Sequence, residues 1–425
     1  MTTNGSEPFG LLGRTLGHSW SPRIHATLGS TPYALFEREP QDVAAFVRDG
    51  SWRGINVTIP YKRRAAELAD ECSERVRALG VANTLVRRED GSIYADNTDV
   101  LGFSWMLERF CVRELGMGAR EAFCGKKVLV LGSGGASQAV RAALDDVGAC
   151  TVVISRTGPN TYESITQSHT DALLVINTTP VGMYPSCPQS PVSLEDLAEL
   201  RQLCGVLDVV YNPERTSLCM MAQRLGIPFE SGLAMLVAQA RFASEVFLGR
   251  SLPESLVEQI EHDIRSQTRN VVLIGMPGSG KSSAGRRLAR MVGRPFVDLD
   301  ACFAVDHGIS PAECIRTQGE EAFRALETKT AASYGSRSGL VIACGGGIVT
   351  REENYPLLHQ NGTIIMLDRP IDELATKERP LSQSKGVARL ARERMHLYRE
   401  WADIVLPCTG SAEGDALEVR SMLDL

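Results

Sequence analysis

Two glycine-rich stretches carry residue types that handle phosphate. In VVLIGMPGSGKSSAGRRLA, residues 271–289, Gly275, Gly278, Ser279, Gly280, Lys281, Ser282 and Ser283 join a β-branched run to a helix-forming one. The stretch satisfies G-x-x-x-x-G-K-S. In that pattern backbone N–H groups cradle nucleotide phosphates, the lysine reaches the β and γ oxygens, and the serine hydroxyl takes Mg²⁺. It reads as a loop that grips the phosphates of ATP. The second stretch is KVLVLGSGGASQAVRAAL, residues 127–144. It places Gly132, Ser133, Gly134, Gly135 and Ala136 at another strand-to-helix turn, where a pyrophosphate can approach the backbone and the helix dipole favours its charge. The match to the dinucleotide fingerprint is imperfect, because its sixth position is Ser137. About 20 residues on, where an acid would hold the ribose hydroxyls of NAD, stand Ser155, Arg156 and Thr157. An arginine there suits the 2′-phosphate of NADP.

Such turns need parallel strands to position them. Short β-branched runs alternate with helical stretches along the chain: GINVTI, KVLVLG, TVVISR, LLVINT, VLDVV, VVLIG, LVIACGGG and TIIMLD. That alternation predicts α/β architecture with parallel sheets flanked by helices. A mixed α/β substrate domain is expected over 1–100 and a Rossmann dinucleotide domain over 101–231. The helical stretch at about 232–265 is expected to return to the first domain, and a P-loop domain with a parallel sheet is expected over 266–425. The link before residue 271 is polar but not rich in Gly or Ser, so free tumbling does not follow from it.

The bulk numbers exclude several classes. A formal net charge of −6 disfavours a nucleic-acid partner. No apolar run approaches the ~20 residues a membrane helix takes. The start MTTNGSEPFG lacks the basic and apolar regions of a secretion signal. The 11 cysteines are scattered without a Cys-x-x-Cys pair, which indicates reduced thiols rather than a zinc or redox centre. A cytoplasmic protein is expected, and a homo-oligomer is compatible with all of this. Cys344, in ACGGG, reads as a small buried residue rather than a nucleophile.

The first hundred residues hold a scattered polar set. GHSWSPRIH gives Ser19 and Ser21, spaced so that both hydroxyls can face one carboxylate; GINVTIPYK gives Thr58 and Lys62; GVANTLV gives Asn83; ADNTDVLGF gives Asp99. Singly each has an ordinary explanation: a solvated lysine, a helix cap, a turn. Together, and with GSGGAS, INTTPVGM, DVVYNP and GLAMLVAQA following in order, they resemble the shikimate dehydrogenase family over roughly residues 8–260. The resemblance implies an NADPH-dependent reduction of 3-dehydroshikimate, with Lys62 and Asp99 as the catalytic dyad. By the same likeness Ser19, Ser21, Thr58, Asn83, Tyr211 and Gln239 contact substrate, and Val209 and Gly232 lie near the nicotinamide. The chemistry agrees, because a cation beside a developing alkoxide stabilises it and supplies a proton. Ser155 departs from the Asn that the family often has before Arg-Thr. NAD-using quinate/shikimate enzymes are the near rival.

Downstream of the P-loop, FVDLD supplies Asp298 and Asp300, GEEAFRALE supplies Arg324 and Glu327, and ACGGG supplies Gly345, Gly346 and Gly347. ERPLS then supplies Arg379 and RMHLYREWAD supplies Arg394. In this order they resemble shikimate kinase over about residues 269–410. The resemblance implies that Asp300 contacts the hydroxyl to be phosphorylated and that Asp298 lies near Mg²⁺. Arg324 and Arg394 would pair with the substrate carboxylate, Gly346 would let the backbone approach the ring, and Arg379 would belong to a lid. The lid is shorter than usual in that family, and His396 stands where a proline is common. The two resemblances imply one bifunctional enzyme that makes shikimate and then phosphorylates it. The alternative is one active half and one ligand-binding regulatory half.

Overall fold

The apolar runs become three sheets. The structure, a computed structural model, describes residues 7–17, 19–374 and 386–425. These divide into two compact units. The first comprises Met1–Val181, Ser190–Tyr211 and Met221–His262; the second comprises Gly182–Gln189, Asn212–Met220 and Asp263–Leu425.

In the first unit, β1 (Phe9–Gly13), β2 (Tyr33–Glu37), β3 (Gly54–Val57), β4 (Glu71–Cys72), β5 (Thr84–Arg87) and β6 (Ile93–Asp96) form one mixed sheet in the order β2-β1-β3-β5-β6-β4. β1 pairs in parallel with β2 and β3, whereas β5 is antiparallel to both β3 and β6. The register sets Asn56 opposite Thr84 and Thr84 opposite Asp96, which draws polar residues together at one place on the sheet. The second sheet, β11-β10-β9-β7-β8, is parallel throughout. Its strands are β7 (Lys127–Leu131), β8 (Cys150–Ile154), β9 (Leu174–Asn177), β10 (Gly205–Asp208) and β11 (Phe229–Ser231). Its central strands read as unbroken apolar runs because helices cover them; Val128, Val130, Leu174, Ile176 and Leu207 share one core with Phe103, Leu107 and Leu144. The helix Leu233–Leu248 returns to the first sheet, where Phe247 stacks on Phe9 with ring centroids 5.2 Å apart.

The second unit is built on β12 (Asn270–Ile274), β13 (Phe296–Asp298), β14 (Val341–Ala343), β15 (Gly362–Asp368) and β16 (Ile404–Pro407). All pair in parallel in the order β13-β14-β12-β15-β16, so the ends of all five strands open along one edge. That edge is where α/β sheets place ligands. The span 101–231, expected as one domain, contributes Gly182–Gln189 and Asn212–Met220 to this unit. The reason is a set of specific bonds. Arg215 donates to the carbonyls of His359 at 2.7 Å and Gly362 at 2.9 Å, the Glu214 N–H meets Asn361 Oδ1 at 2.9 Å, and the Glu214 carboxylate pairs with Arg269 at 2.5 Å. Among the described residues no helix is long and apolar enough to cross a membrane.

Candidate active sites

In the first unit, Lys62 opens the helix Lys62–Leu68 directly after the β3 loop, and Asp99 sits in the first turn of the helix Thr98–Phe110. Lys62 Nζ donates to Asp99 Oδ2 at 2.5 Å. Asn83 Nδ2 donates to the other carboxylate oxygen at 2.9 Å and lies 3.5 Å from Gln239 Oε1. The Asn83 carbonyl accepts the Thr98 N–H at 2.7 Å, which fixes which end of the amide faces Asp99. The Lys62 and Asp99 side chains are 25% and 17% exposed, open enough to meet a ligand and dry enough for the charges to be felt strongly.

The Ser21 N–H reaches Ser19 Oγ at 3.2 Å, and the Ser21 side chain bonds Tyr33. From there Tyr33 Oη donates to Asn56 Oδ1 at 2.9 Å, Asn56 Nδ2 meets Thr84 Oγ1 at 3.3 Å, and Thr84 donates to Asn83 Oδ1 at 3.0 Å. One hydrogen-bonded chain therefore runs from the serine pair to the Lys62–Asp99 contact. Sequence reasoning missed Tyr33, Asn56 and Thr84. A signal existed for one of them: Asn56 stands two residues before Thr58 and so shares its face of an extended segment. Among the described residues no hydrogen bond ties the side chains of Thr58 or Tyr211 to the dyad. Tyr211 lies beyond the end of β10 and is 36% exposed.

Behind this chain His25 is fully enclosed, stacked on Tyr33 at 4.2 Å and 3.0 Å from Ser244 Oγ through Nδ1. Burial lowers its pKa to about 3, against a small opposing bond from Asn56. The folded ring therefore stays neutral where the unfolded one, near 6.5, already binds a proton. Its contribution to stability is full above pH 6.5 and is lost as pH falls toward 3. Urea titrations at pH 7 and pH 5, followed by tryptophan fluorescence, should show wild type losing about 2 kcal/mol more than His25→Gln on acidification. Trp20, Trp52 and Trp105 all report on this unit. Equal losses in the two proteins would refute the assignment.

The glycine turn after β7 leads into the helix Gly135–Val147. Gly132 has φ +101°, and a Cβ there would lie 2.8 Å from Thr179 Cγ2, so only glycine suits the position. Added Cβ atoms at Gly134 and Gly135 would meet nothing within 4 Å. No side chain caps the helix start, which leaves its N–H groups to an anion; Ser133 and Ala136 flank that opening. After β8 the Ser155 N–H closes a turn onto Asn160 O at 3.0 Å, and Arg156 and Thr157 project from the turn to solvent. A Cβ on Gly232 would collide with the Val209 carbonyl, so the two expected nicotinamide neighbours are in backbone contact. The cradle and the exposed arginine fit an NADP-type dinucleotide.

In the second unit a cavity of about 440 Å³ is lined by Gly278, Gly280, Lys281, Ser282 and Ser283 of the phosphate loop. Asp298, Asp300, Arg324, Gly346 and Arg394 line it too, with Glu327. Lys281 is buried, and its Nζ bonds the carbonyls of Gly275 and Met276, each at 2.9 Å. The helix Lys281–Met291 starts from Gly280, whose φ of +97° turns the strand into the helix. Asp298 caps the helix Leu299–His307 by accepting the Asp300 N–H at 3.2 Å, which sets Asp300 in the first turn. Ser282 and Asp298 present hard oxygen donors to the same cavity, the kind Mg²⁺ takes. Among the described residues no cluster of three or more His, Cys, Asp or Glu could hold a metal by protein groups alone.

Arg324 is buried against Glu327, 2.5 Å away. Burial pushes the Glu327 carboxyl up, Arg324 opposes this, and neighbouring Asp300 adds to the rise. A Cβ on Gly345 would lie 2.7 Å from Asp300 Oδ1 and 3.0 Å from Glu327 Oε1, so the glycine run lies directly against both acids. Arg394 donates to Gly346 O at 2.9 Å, and its Nε is buried with no partner, an orphan donor that a ligand carboxylate would satisfy. Tyr398, unnoticed in the sequence, holds the same carbonyl. Cys344 is buried and its thiol is pushed up by that burial, as a non-nucleophilic residue requires. His396 is exposed in mid-helix in Val387–Trp401. Arg379 and the lid expected around it lie outside the described residues.

Comparison with known proteins finds relatives of both parts of the chain. A family model described as the shikimate dehydrogenase substrate binding domain matches residues 11–85, and one described as shikimate kinase matches residues 277–424. A shikimate dehydrogenase (NADP(+)) of Caldicellulosiruptor saccharolyticus is 34% identical over 263 residues, covering 56% of this chain and 90% of that protein. Among solved structures, the chorismate mutase/shikimate 5-dehydrogenase fusion protein from Clostridium acetobutylicum matches with TM-score 0.55 at 32% identity, over 61% of this chain and 97% of that one. A quinate dehydrogenase from Corynebacterium glutamicum, in complex with NAD, matches with TM-score 0.53 at 26% identity, over 61% of this chain and 99% of that one. Nine-tenths of the Caldicellulosiruptor enzyme is spanned at one-third identity and the downstream cavity falls inside the kinase match, so the chain belongs to the shikimate dehydrogenase family and carries a shikimate kinase domain in the same polypeptide.

Proposed function

We propose that the first unit reduces 3-dehydroshikimate to shikimate with NADPH and that the second phosphorylates shikimate to shikimate 3-phosphate with ATP. The observation that carries the reading is the gathering of both sets of groups within one chain. Lys62 and Asp99, 37 residues apart, meet at 2.5 Å, and Lys281, Asp300, Arg324 and Arg394 line one cavity.

When bound, NADPH supplies a hydride and Mg²⁺–ATP supplies the phosphoryl group; the chain's residues do the rest. Ser19 and Ser21 hold the substrate carboxylate, and Thr58, Asn83, Tyr211 and Gln239 hold the rest of the ring. Lys62 stabilises the alkoxide and gives it a proton, while Asp99 orients the ammonium and accepts a ring hydroxyl. In the opposite direction Lys62 takes the proton back. Gly132, Gly134 and Gly135 would hold the pyrophosphate of the bound cofactor, Arg156 its 2′-phosphate, and Val209 and Gly232 its nicotinamide. In the second unit Arg324 and Arg394 hold the carboxylate, for which planar guanidinium forks are suited. Asp300 orients the acceptor hydroxyl and takes its proton, Lys281 would offset charge on the phosphates of bound ATP, and Ser282 and Asp298 would hold Mg²⁺. The eleven free cysteines support a cytoplasmic location.

A second reading has an observation behind it. The likeness to an NAD-bound quinate dehydrogenase favours an NAD-using quinate/shikimate enzyme in the first unit. Against it stands Arg156 at the end of β8, with no acid beside it to hold the ribose hydroxyls. Two assays on the purified protein decide: oxidation of shikimate or quinate with NADP⁺ or NAD⁺, and shikimate-dependent consumption of ATP. Turnover is expected in both, with shikimate and NADP⁺ the preferred pair. Turnover in only one assay would defeat the bifunctional reading.

A further inference from the structure

In the second unit the strand order divides the phosphate edge into two flanks. β13 and β14, on one side of β12, deliver Asp300 and the Gly345–Gly347 run. β15 and β16, on the other side, deliver Arg369 and the Thr409–Asp415 turn. On this second flank a carboxylate is fully enclosed. Asp415 is 0% exposed, and its Oδ1 accepts the Thr409 N–H at 2.7 Å and the Thr409 hydroxyl at 2.9 Å. Its Oδ2 pairs with Arg369, 46 residues away, at 3.4 Å. A buried charge persists only when it is paired and hydrogen-bonded, so Asp415 and Arg369 hold each other in one arrangement. Arg369 Nε in turn donates to the Ser279 carbonyl at 3.2 Å, and a Cβ on Gly280 would lie only 3.6 Å from its terminal nitrogen.

The Ser279 carbonyl and the Gly280 N–H belong to the same peptide plane, and a trans peptide points them in opposite directions. Whatever fixes the carbonyl therefore fixes the N–H. The constraint matters here because glycine at 280, with φ +97°, lets this peptide turn over with little steric resistance. Cys408 Sγ, 3.8 Å from the same carbonyl, is too weak a partner to hold it alone. We infer that Arg369, oriented by Asp415, is a positioning residue for the nucleotide: it sets the Ser279–Gly280 peptide so that the Gly280 N–H is directed at the phosphates. The inference rests on reading the second unit as an ATP-dependent kinase. Because Arg369 lies on the flank away from Asp300, it bears on the nucleotide and leaves the acceptor alone.

The test uses the full chain with Arg369→Ala and Arg369→Lys. In Arg369→Ala the KM for ATP and the Kd for ADP, by calorimetry, should each rise about tenfold, the worth of one charged hydrogen bond. The KM for shikimate should stay within about twofold, while Arg369→Lys, which keeps a donor, recovers most of the loss. Inhibition by inorganic tripolyphosphate should weaken as much as ADP binding does, because the residue acts on phosphate recognition. NADP⁺-linked shikimate oxidation should be unchanged, and the unchanged KM for shikimate in phosphorylation reports that the second unit is folded. Unchanged ADP affinity would overturn the inference, as would an equal rise in both KM values. So would weakened ADP binding with tripolyphosphate inhibition intact. A wild type that binds ADP without phosphorylating shikimate would defeat the kinase reading, and the change in ADP affinity in Arg369→Ala would still decide the role of Arg369.

Discussion

Lys62→Ala is expected to lower NADP⁺-linked shikimate oxidation by about 10³-fold, the middle of the range for removing a positioned proton-transfer group. The geometry says why the loss falls on kcat. The ammonium meets Asp99 at 2.5 Å, and Asn83 independently holds the other carboxylate oxygen at 2.9 Å. Asp99 therefore keeps its place without Lys62, and so does a substrate hydroxyl bonded to it. What disappears is the charge that grows in importance as the reacting oxygen changes between hydroxyl and alkoxide. An interaction realised in the transition state lowers kcat and kcat/KM together and leaves KM nearly constant. The fold should survive, because the Lys62 side chain is a quarter exposed at the start of its helix. ATP-dependent phosphorylation of shikimate should continue at the wild-type rate. A variant retaining more than a tenth of the oxidation rate would remove Lys62 from the mechanism, and a parallel fall in phosphorylation would point to misfolding instead. Asp99→Asn provides the complementary check: the amide can still face Lys62 but cannot hold its charge, so a smaller loss in kcat is expected.

Legibility in the sequence followed the range of the interaction. Both phosphate turns were readable because their information is local: a β-branched run, glycines, then a helix. The parallel second and third sheets were readable for a related reason, since buried strands covered on both faces appear as short apolar runs. The antiparallel part of the first sheet was less so. A turn signal, Asp90-Gly91, does stand between β5 and β6, yet the alternation of strands and helices elsewhere suggested parallel pairing. The dyad came from a family likeness; nothing in the types of Lys62 and Asp99 tells that they touch. The spacing of Asn56 and Thr58 hinted at a shared face, but the chain Tyr33–Asn56–Thr84 could not be assembled from the sequence because it depends on register, which sets Asn56 opposite Thr84. Arg369 and Asp415 were invisible because their pairing depends on β15 and β16 lying side by side, a property of the whole sheet. Residues that act through a neighbour's backbone leave no motif, and Tyr398 on the Gly346 carbonyl is a further case.

Lys281→Met should abolish the other activity, lowering shikimate-dependent ATP consumption by about 10³-fold while shikimate oxidation stays at the wild-type rate. Methionine is the informative choice because it keeps the length and apolar stem of the side chain and removes only the ammonium. Lys281 is 6% exposed, and its Nζ is held by the carbonyls of Gly275 and Met276, so the chain itself aims the charge along the phosphate loop. A pre-aimed cation in a poorly solvated cleft stabilises charge more than the same group in water does, and it needs no rearrangement as the charge shifts. Its removal should therefore lower kcat and raise the KM for ATP, since the β and γ oxygens carry negative charge in both ground and transition states. Stability should change little. Removing an ammonium that is costly to desolvate offsets the loss of its bonds to the Gly275 and Met276 carbonyls, so the unfolding midpoint is expected to hold within a few degrees. The contrast with Arg324→Met is instructive. That change strands Glu327, whose carboxyl burial already pushes up, beside Asp300. It should raise the KM for shikimate and lower stability together, whereas Lys281→Met should spare the KM for shikimate. If Lys281→Met phosphorylates shikimate at more than a tenth of the wild-type rate, the loop is not the phosphate site.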